Sequence, residues 1–141
     1  MHQSFGMRII AFSSSLNQAI ADQKAEEAGL PIKTRGDEPT FLAVDKETLF
    51  RDADVLSVHY VLSERSRGIV SRTDLALMKP GALFVNTSRG PLVIEQDLLE
   101  VLEKGGIRGA ALDVFDLEPL APESRWRSTD WGSKVSRLFN Q

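Results

Sequence analysis

An α/β fold built on a parallel sheet is what this sequence predicts, and three observations predict it. Short apolar runs at residues 7–12, 54–62, 82–86 and 107–115 alternate with stretches of helical pattern, as parallel strands joined by crossover helices do. The chain has 141 residues with a 42% hydrophobic share, enough for one core and about one domain. Residues of chemical interest follow the ends of the apolar runs, where open parallel sheets hold their ligands.

Each element has its own justification. The run MRIIAF at 7–12 reads as the first strand. The polar, alanine-bearing stretch after it predicts a helix over 18–28, stopped by Gly29, Leu30 and Pro31. Residues 30–40 carry the proline, glycine and charges of a loop. Asp45 is placed to cap a helix over 46–53, with Thr48 at the third helical position, so only part of a capping box is present. Residues 54–62 read as a central strand, and 63–70 as the loop that leaves it. Ser71 is the better cap, with Asp74 three residues on, for a helix over 72–78 that Pro80 and Gly81 stop. After the strand at 82–86, residues 94–106 place Leu98, Leu99, Val101 and Leu102 on one helix face and end in a glycine pair. The run 107–115 is the last strand; past residue 124 the two tryptophans stand in no clear period.

Composition narrows the function. A net charge of -3, with both signs mixed along the chain, leaves no basic stripe of the kind that neutralises phosphates, which argues against nucleic acid as a partner. The absence of cysteine excludes disulfides, thiolate metal sites and a cysteine nucleophile, and suits a reducing compartment. No metal site is expected. No segment approaches the ~18 apolar residues of a membrane span, and the N-terminal apolar run is too short for a secretory signal. The expectation is a soluble, cytoplasmic protein with a small-molecule partner.

The strand-end rule gathers the candidates on one edge of the sheet. Ser13 ends the first strand, His59 and Tyr60 the second strong one, Thr87, Ser88 and Arg89 follow the third, and Asp113 and Glu118 the fourth. Arg89 offers a planar fork suited to a bidentate grip on a carboxylate, aimed by Gly90 and Pro91; the alternative is a pairing with a structural acid or with helix carbonyls. Asp113 lies in an apolar run, where an unpaired carboxylate would cost several kcal/mol, so a donor partner is expected, either a cofactor amide or a backbone N–H. Glu118 reads equally as a solvated loop charge, and His59 as a packed core histidine.

Taken together, FGMRIIAF, LFRDADVLSVHYVLSERSRGIV, LALMKPGALFVNTSRGPLV and GAALDVFDLEPL resemble, in order and spacing, the NAD-binding domain of the D-isomer-specific 2-hydroxyacid dehydrogenases, with HYVLSERSRGIV and WRSTDWG similar to a fungal branch. The resemblance covers residues 5–131, expected to form a partial NAD(P)-binding domain followed by a divergent tail at 132–141. It implies a Rossmann-like doubly wound sheet in three αβα layers. It also implies hydride transfer between NAD or NADP and a D-2-hydroxy or 2-keto acid. By the same resemblance Arg89 holds the substrate carboxylate, Glu118 raises the pKa of a catalytic histidine, and Asp113 meets the nicotinamide end of the cofactor. Ser13, Tyr60, Val61, Thr87 and Ser88 line that pocket, and pairing as a homodimer or with a full-length relative is implied as well.

Three departures from the family pattern qualify this. There is no G-x-G-x-x-G anywhere in the sequence, so the backbone cradle for a pyrophosphate and the strand before it are expected to be missing. If nothing replaces that strand, those built from 7–12 and 54–59 expose unpaired edges. The only histidines, His2 and His59, precede Glu118 rather than follow it. The first strand ends in AFSSSL without an acid for the adenosine ribose, which opens the site to NADP, with Lys33 and Arg35 as candidate phosphate partners. The resulting expectation is a dehydrogenase product truncated at both ends and without its substrate domain. Against it stands a non-catalytic Rossmann-like module that binds nucleotide weakly or pairs with a relative.

Overall fold

A computed structural model describes residues 7–131 and the backbone of 135–137. Its contacts divide the chain into two compact units that meet in sequence between Leu49 and Phe50.

In the first unit, β1 (Ile9–Ala11) pairs in parallel with β2 (Phe41–Ala43), and α1 (Gln18–Glu27) joins them. Asn17 caps α1 by accepting from the Ile20 N–H at 3.0 Å. Ala21 and Ala25, one turn apart, are its buried residues, so this helix buries its backbone through small side chains. Gln18 bridges to β2, donating to the Phe41 carbonyl and accepting from the Ala43 N–H, both at 3.0 Å. Strand β2 is absent from the sequence-based expectation because three residues are too short to display a period of two.

The second unit begins within α2 (Lys46–Asp52), and Asp45 caps it as expected, accepting from the Thr48 N–H at 2.7 Å. Four parallel strands follow in the order β3 (Val55–Val58), β4 (Leu83–Asn86), β5 (Gly109–Leu112), β6 (Val135–Arg137). The connections carry α3 (Arg72–Leu75), α4 (Glu95–Glu103) and α5 (Arg125–Ser128). The Asp74 carboxylate takes both the N–H and the hydroxyl of Ser71 at 2.9 Å, fixing the start of α3. Helix α4 buries Leu98, Leu99 and Leu102, the face read from the sequence, and ends before Gly105 at φ 67°, which only glycine adopts without strain. Its Glu100 carboxyl is held below the usual carboxylate range, first by the Gln96 side-chain amide and then by Arg72 and Lys104.

Register puts Leu56, Phe84 and Ala110 side by side on the covered face of this sheet, with Phe84 wholly buried. The core continues into Leu75, Leu92, Leu102 and Ile107. The reading of 54–62 as a central strand needs correction. Strand β3 stops at Val58 and, among the described residues, pairs with β4 alone, leaving it at the sheet edge with Val55 55% exposed. Its alternating burial is that of a strand covered on one face. Strand β5 is likewise shorter than the apolar run that predicts it. No helix among the described residues is long and apolar enough to cross a membrane.

Candidate functional site

Strands β3, β4 and β5 all run the same way, so the segments after Val58, Asn86 and Leu112 emerge at one edge of the second unit. Asn86 organises that edge. It is 2% exposed, its side-chain amide donates to the Arg89 carbonyl at 3.0 Å, and its Oδ1 accepts from the Ser88 N–H at 3.1 Å. Its own carbonyl accepts from the Asp113 N–H at 3.0 Å. A buried asparagine with both ends of its amide engaged fixes the loop 86–89 as firmly as a turn would. Nothing in the sequence pattern marks it, because Asn86 is the last residue of an apolar run and resembles a strand terminator.

The loop after β4 is tied to its neighbours on both sides. The Ser88 hydroxyl donates to the Tyr60 carbonyl at 3.1 Å, joining it to the segment after β3. Gly90, which opens a 3-10 turn over Gly90–Leu92, lies against the backbone after β5: a Cβ there would overlap the carbonyl of Phe115 and stand 2.6 Å from the Asp116 nitrogen. Glycine is therefore required at 90 for close approach of two backbones rather than for an unusual φ. A small cavity beneath this joint is lined by Asn86, Gly90, Phe115, Asp116 and Trp126 among others.

Arg89 stands exposed at the rim, with Nη1 donating to the Ser88 carbonyl at 2.7 Å. Its guanidinium forms no ion pair among the described residues, so the alternative of a structural acid is not realised there. Asp113 is half-buried and follows the end of β5, and no described residue donates to its carboxylate. Strand β5 stops at Leu112, three residues before the apolar run ends at Phe115, and the half-buried carboxylate stays open to a donor from a bound group. Glu118 is exposed and accepts from the Phe115 N–H at 2.8 Å, which closes the loop it sits on.

The remaining candidates fall into two groups. Tyr60 is half-buried, Val61 is 84% exposed and Thr87 is exposed, all on the loops at this edge. The loop after β3 is held by buried Ser66, whose hydroxyl accepts from the Ser63 N–H at 2.8 Å and donates to the Val61 carbonyl at 2.7 Å, a device the sequence does not advertise. His59 is exposed and bonded to the Ser57 hydroxyl at 2.9 Å, not packed in the core. Ser13 belongs to the first unit, half-buried, with its carbonyl accepting from the Leu16 N–H at 3.2 Å. In the same unit Lys33 pairs with Asp37 at 2.9 Å, and Arg35 is exposed. Among the described residues no cluster of acidic or histidine side chains could hold a metal ion.

Asp113 and Arg89, neither in an ion pair among the described residues, stand beside exposed hydroxyls and carbonyls, a set able to bind a polar amide and a small anion.

Comparison with known proteins gives this arrangement its context. The chain is 37% identical over 122 residues to the hydroxypyruvate reductase of Thermotoga maritima, covering 86% of this chain and 34% of the reductase. A crystal structure of a phosphoglycerate oxidoreductase from Vibrio cholerae matches with a TM-score of 0.73 and 37% identity, over 96% of this chain and 38% of that one. A D-isomer specific 2-hydroxyacid dehydrogenase from Xanthobacter autotrophicus, solved in complex with NADPH and MES, matches with a TM-score of 0.62 and 30% identity, over 70% of this chain and 32% of that one. The chain thus spans about a third of the length of the curated relatives it matches. Residues 1–131 match the family described as D-isomer specific 2-hydroxyacid dehydrogenase, NAD binding domain. The parallel strands, the loops that meet beyond their carboxyl ends and this match over most of the sequence agree, and the chain belongs to that family.

Proposed function

We propose that this chain is the cofactor-binding part of an NAD- or NADP-dependent oxidoreductase that reduces a 2-keto acid to the D-2-hydroxy acid, with residues 5–131 forming the domain. The observation that carries this reading is the joint at Gly90, which brings the loop bearing Arg89 against the loop bearing Asp113 and Glu118. In this reading Arg89 grips the substrate carboxylate through its fork and polarises the neighbouring carbonyl. Asp113 accepts from the carboxamide of the cofactor. Glu118 supports the protonated form of an imidazole acid through the carboxylate oxygen that does not hold the Phe115 N–H. Tyr60, Val61, Thr87 and Ser88 line the crevice of the second unit, and Ser13, in the first unit, is assigned to the cofactor by the family resemblance. The bound nicotinamide supplies the hydride.

Support for NADP beside NAD comes from the end of β1, where Ser13, Ser14 and Ser15 stand in place of an acid and so offer no repulsion to a 2'-phosphate. Titrating the 141-residue chain with NADH and with NADPH, followed by fluorescence of Trp126 and Trp131, tests both points. Saturable binding is expected, with the two affinities within about tenfold of each other. A folded chain that binds neither would remove the cofactor from this reading, and a preference for NADH of ~100-fold or more would remove the 2'-phosphate argument.

A second reading, a non-catalytic module that pairs with a second copy or a full-length relative, is favoured by the edge of β3, where one side of the strand has no ladder partner among the described residues. It expects a species larger than one chain in size-exclusion chromatography with light scattering. A stable monomer at high concentration, alone and mixed with a full-length relative, would count decisively against it.

A further inference from the structure

Phe115 is a point at which the loop after β4 and the loop after β5 touch beyond the Asn86–Asp113 bond. Its backbone lies against Gly90, the residue after Arg89, and its N–H holds the Glu118 carboxylate at 2.8 Å. What holds Phe115 itself comes from further along the chain. The Trp126 ring meets the Phe115 ring with centroids 6.0 Å apart at 55°, and Trp131 lies behind it at 5.5 Å, its indole N–H donating to the Trp126 carbonyl. The short helix α5 that carries Trp126 is anchored on α4 by Arg125, which donates to Gln96 at 3.0 Å and pairs with Glu103. Arg127 ties it back to the Leu120 carbonyl at 3.2 Å, at the far end of the Phe115 loop.

The geometry points to Trp126 as a positioning residue that sets the relative placement of Arg89 and Glu118 by seating Phe115. A space-filling role alone is a poor account of tryptophan here. Trp126 is 2% exposed and its Nε1–H meets no acceptor among the described residues, a penalty that a phenylalanine or leucine of the core would not carry. The indole is held by ring contacts, and its breadth is what reaches from Trp131 to Phe115. The inference rests on the roles proposed above for Arg89 and Glu118, although the link from Trp126 to Phe115 does not.

The test compares Trp126→Met, which fills volume without a ring, with Trp126→Phe, which keeps one, and with Leu102→Val, which trims the core on α4 away from the loop. Native-state hydrogen exchange reads the Phe115 amide, and titration with hydroxypyruvate in the presence of NADH reads the site. In Trp126→Met the Phe115 amide is expected to exchange about tenfold faster or more, while amides of β4 and β5 stay protected, and hydroxypyruvate affinity to fall about tenfold. Trp126→Phe should restore both to within about threefold, and Leu102→Val should leave the Phe115 amide as in the parent chain. Unchanged exchange at Phe115 in Trp126→Met, or equal acceleration in Leu102→Val, overturns the inference. Should Trp126→Met fail to fold, Phe115→Leu must loosen the same amide selectively, and its failure to do so overturns the inference as well. If the parent chain binds no hydroxypyruvate, the proposed function fails while the exchange pattern still decides the link between Trp126 and Phe115.

Discussion

Gly90→Ala is expected to lower the melting temperature by roughly 10 °C or more, from a loss of about 3 kcal/mol. Replacing glycine by alanine where the backbone allows it ordinarily stabilises by about 0.4–1 kcal/mol, because the unfolded chain has fewer conformations to lose. At Gly90 that gain is overwhelmed. The added methyl would overlap the carbonyl of Phe115 and approach the Asp116 nitrogen at 2.6 Å. These are backbone atoms, which cannot swing aside as a side-chain tip can. Asp113, next to the same segment, is anchored to Asn86 at 3.0 Å, and Asn86 also holds the Arg89 carbonyl, so both loops resist separation. Gly81→Ala is the matched control: a methyl there meets nothing within 4 Å, and stability should stay level or rise slightly. Thermal unfolding of the two variants decides the matter. A Gly90→Ala chain that melts with the parent would mean that the two loops do not lie in contact, and the joint on which the proposed site depends would be lost.

On the proposed function, Arg89→Lys is expected to weaken the binding of a 2-keto acid, with hydroxypyruvate as the probe, in the presence of NADH by about 30- to 100-fold, equivalent to about 2–3 kcal/mol for a lost bidentate charged grip. Lysine keeps the charge, so what it removes is the planar fork. Folding should be indifferent. Arg89 is exposed and its guanidinium donates only to the Ser88 carbonyl, at 2.7 Å, with no ion pair to forfeit among the described residues. A melting temperature within about 1 °C of the parent is therefore the companion expectation. Calorimetric titration of parent and variant gives the answer, and wherever the chain turns over substrate, kcat/KM should fall at least as far. Equal affinity in the two proteins would return Arg89 to a surface charge.

The β3 edge and the loops after β4 and β5 bear on the two readings from opposite sides. On the proposed function, a cofactor bound at the edge of the second unit draws its affinity from the loops after β4 and β5. A strand edge with no ladder partner among the described residues offers its N–H and C=O groups to another chain. Cofactor titration and mass measurement on the same sample therefore separate the two readings.

What the sequence by itself determined is local and periodic. The apolar face of α4 with its glycine stop, the caps at Asp45 and at Ser71 with Asp74, and the alternation of strand and helix are all written within a few residues of where they act. So is the order of the stretches around Arg89, Asp113 and Glu118, which carries the family resemblance. The structure alone decided the rest, for a definite physical reason. The approach of Gly90 to Phe115, the bond from Ser88 to Tyr60 and the seating of Phe115 by Trp126 join residues distant in sequence, and no periodicity records which backbone or ring will meet which. Burial also misled at the strand ends. Asp113 and His59 border apolar runs that look buried throughout, yet β5 and β3 stop at Leu112 and Val58, and both side chains reach solvent. Where a hydrogen-bonded ladder ends depends on the neighbouring strand, and so on tertiary structure.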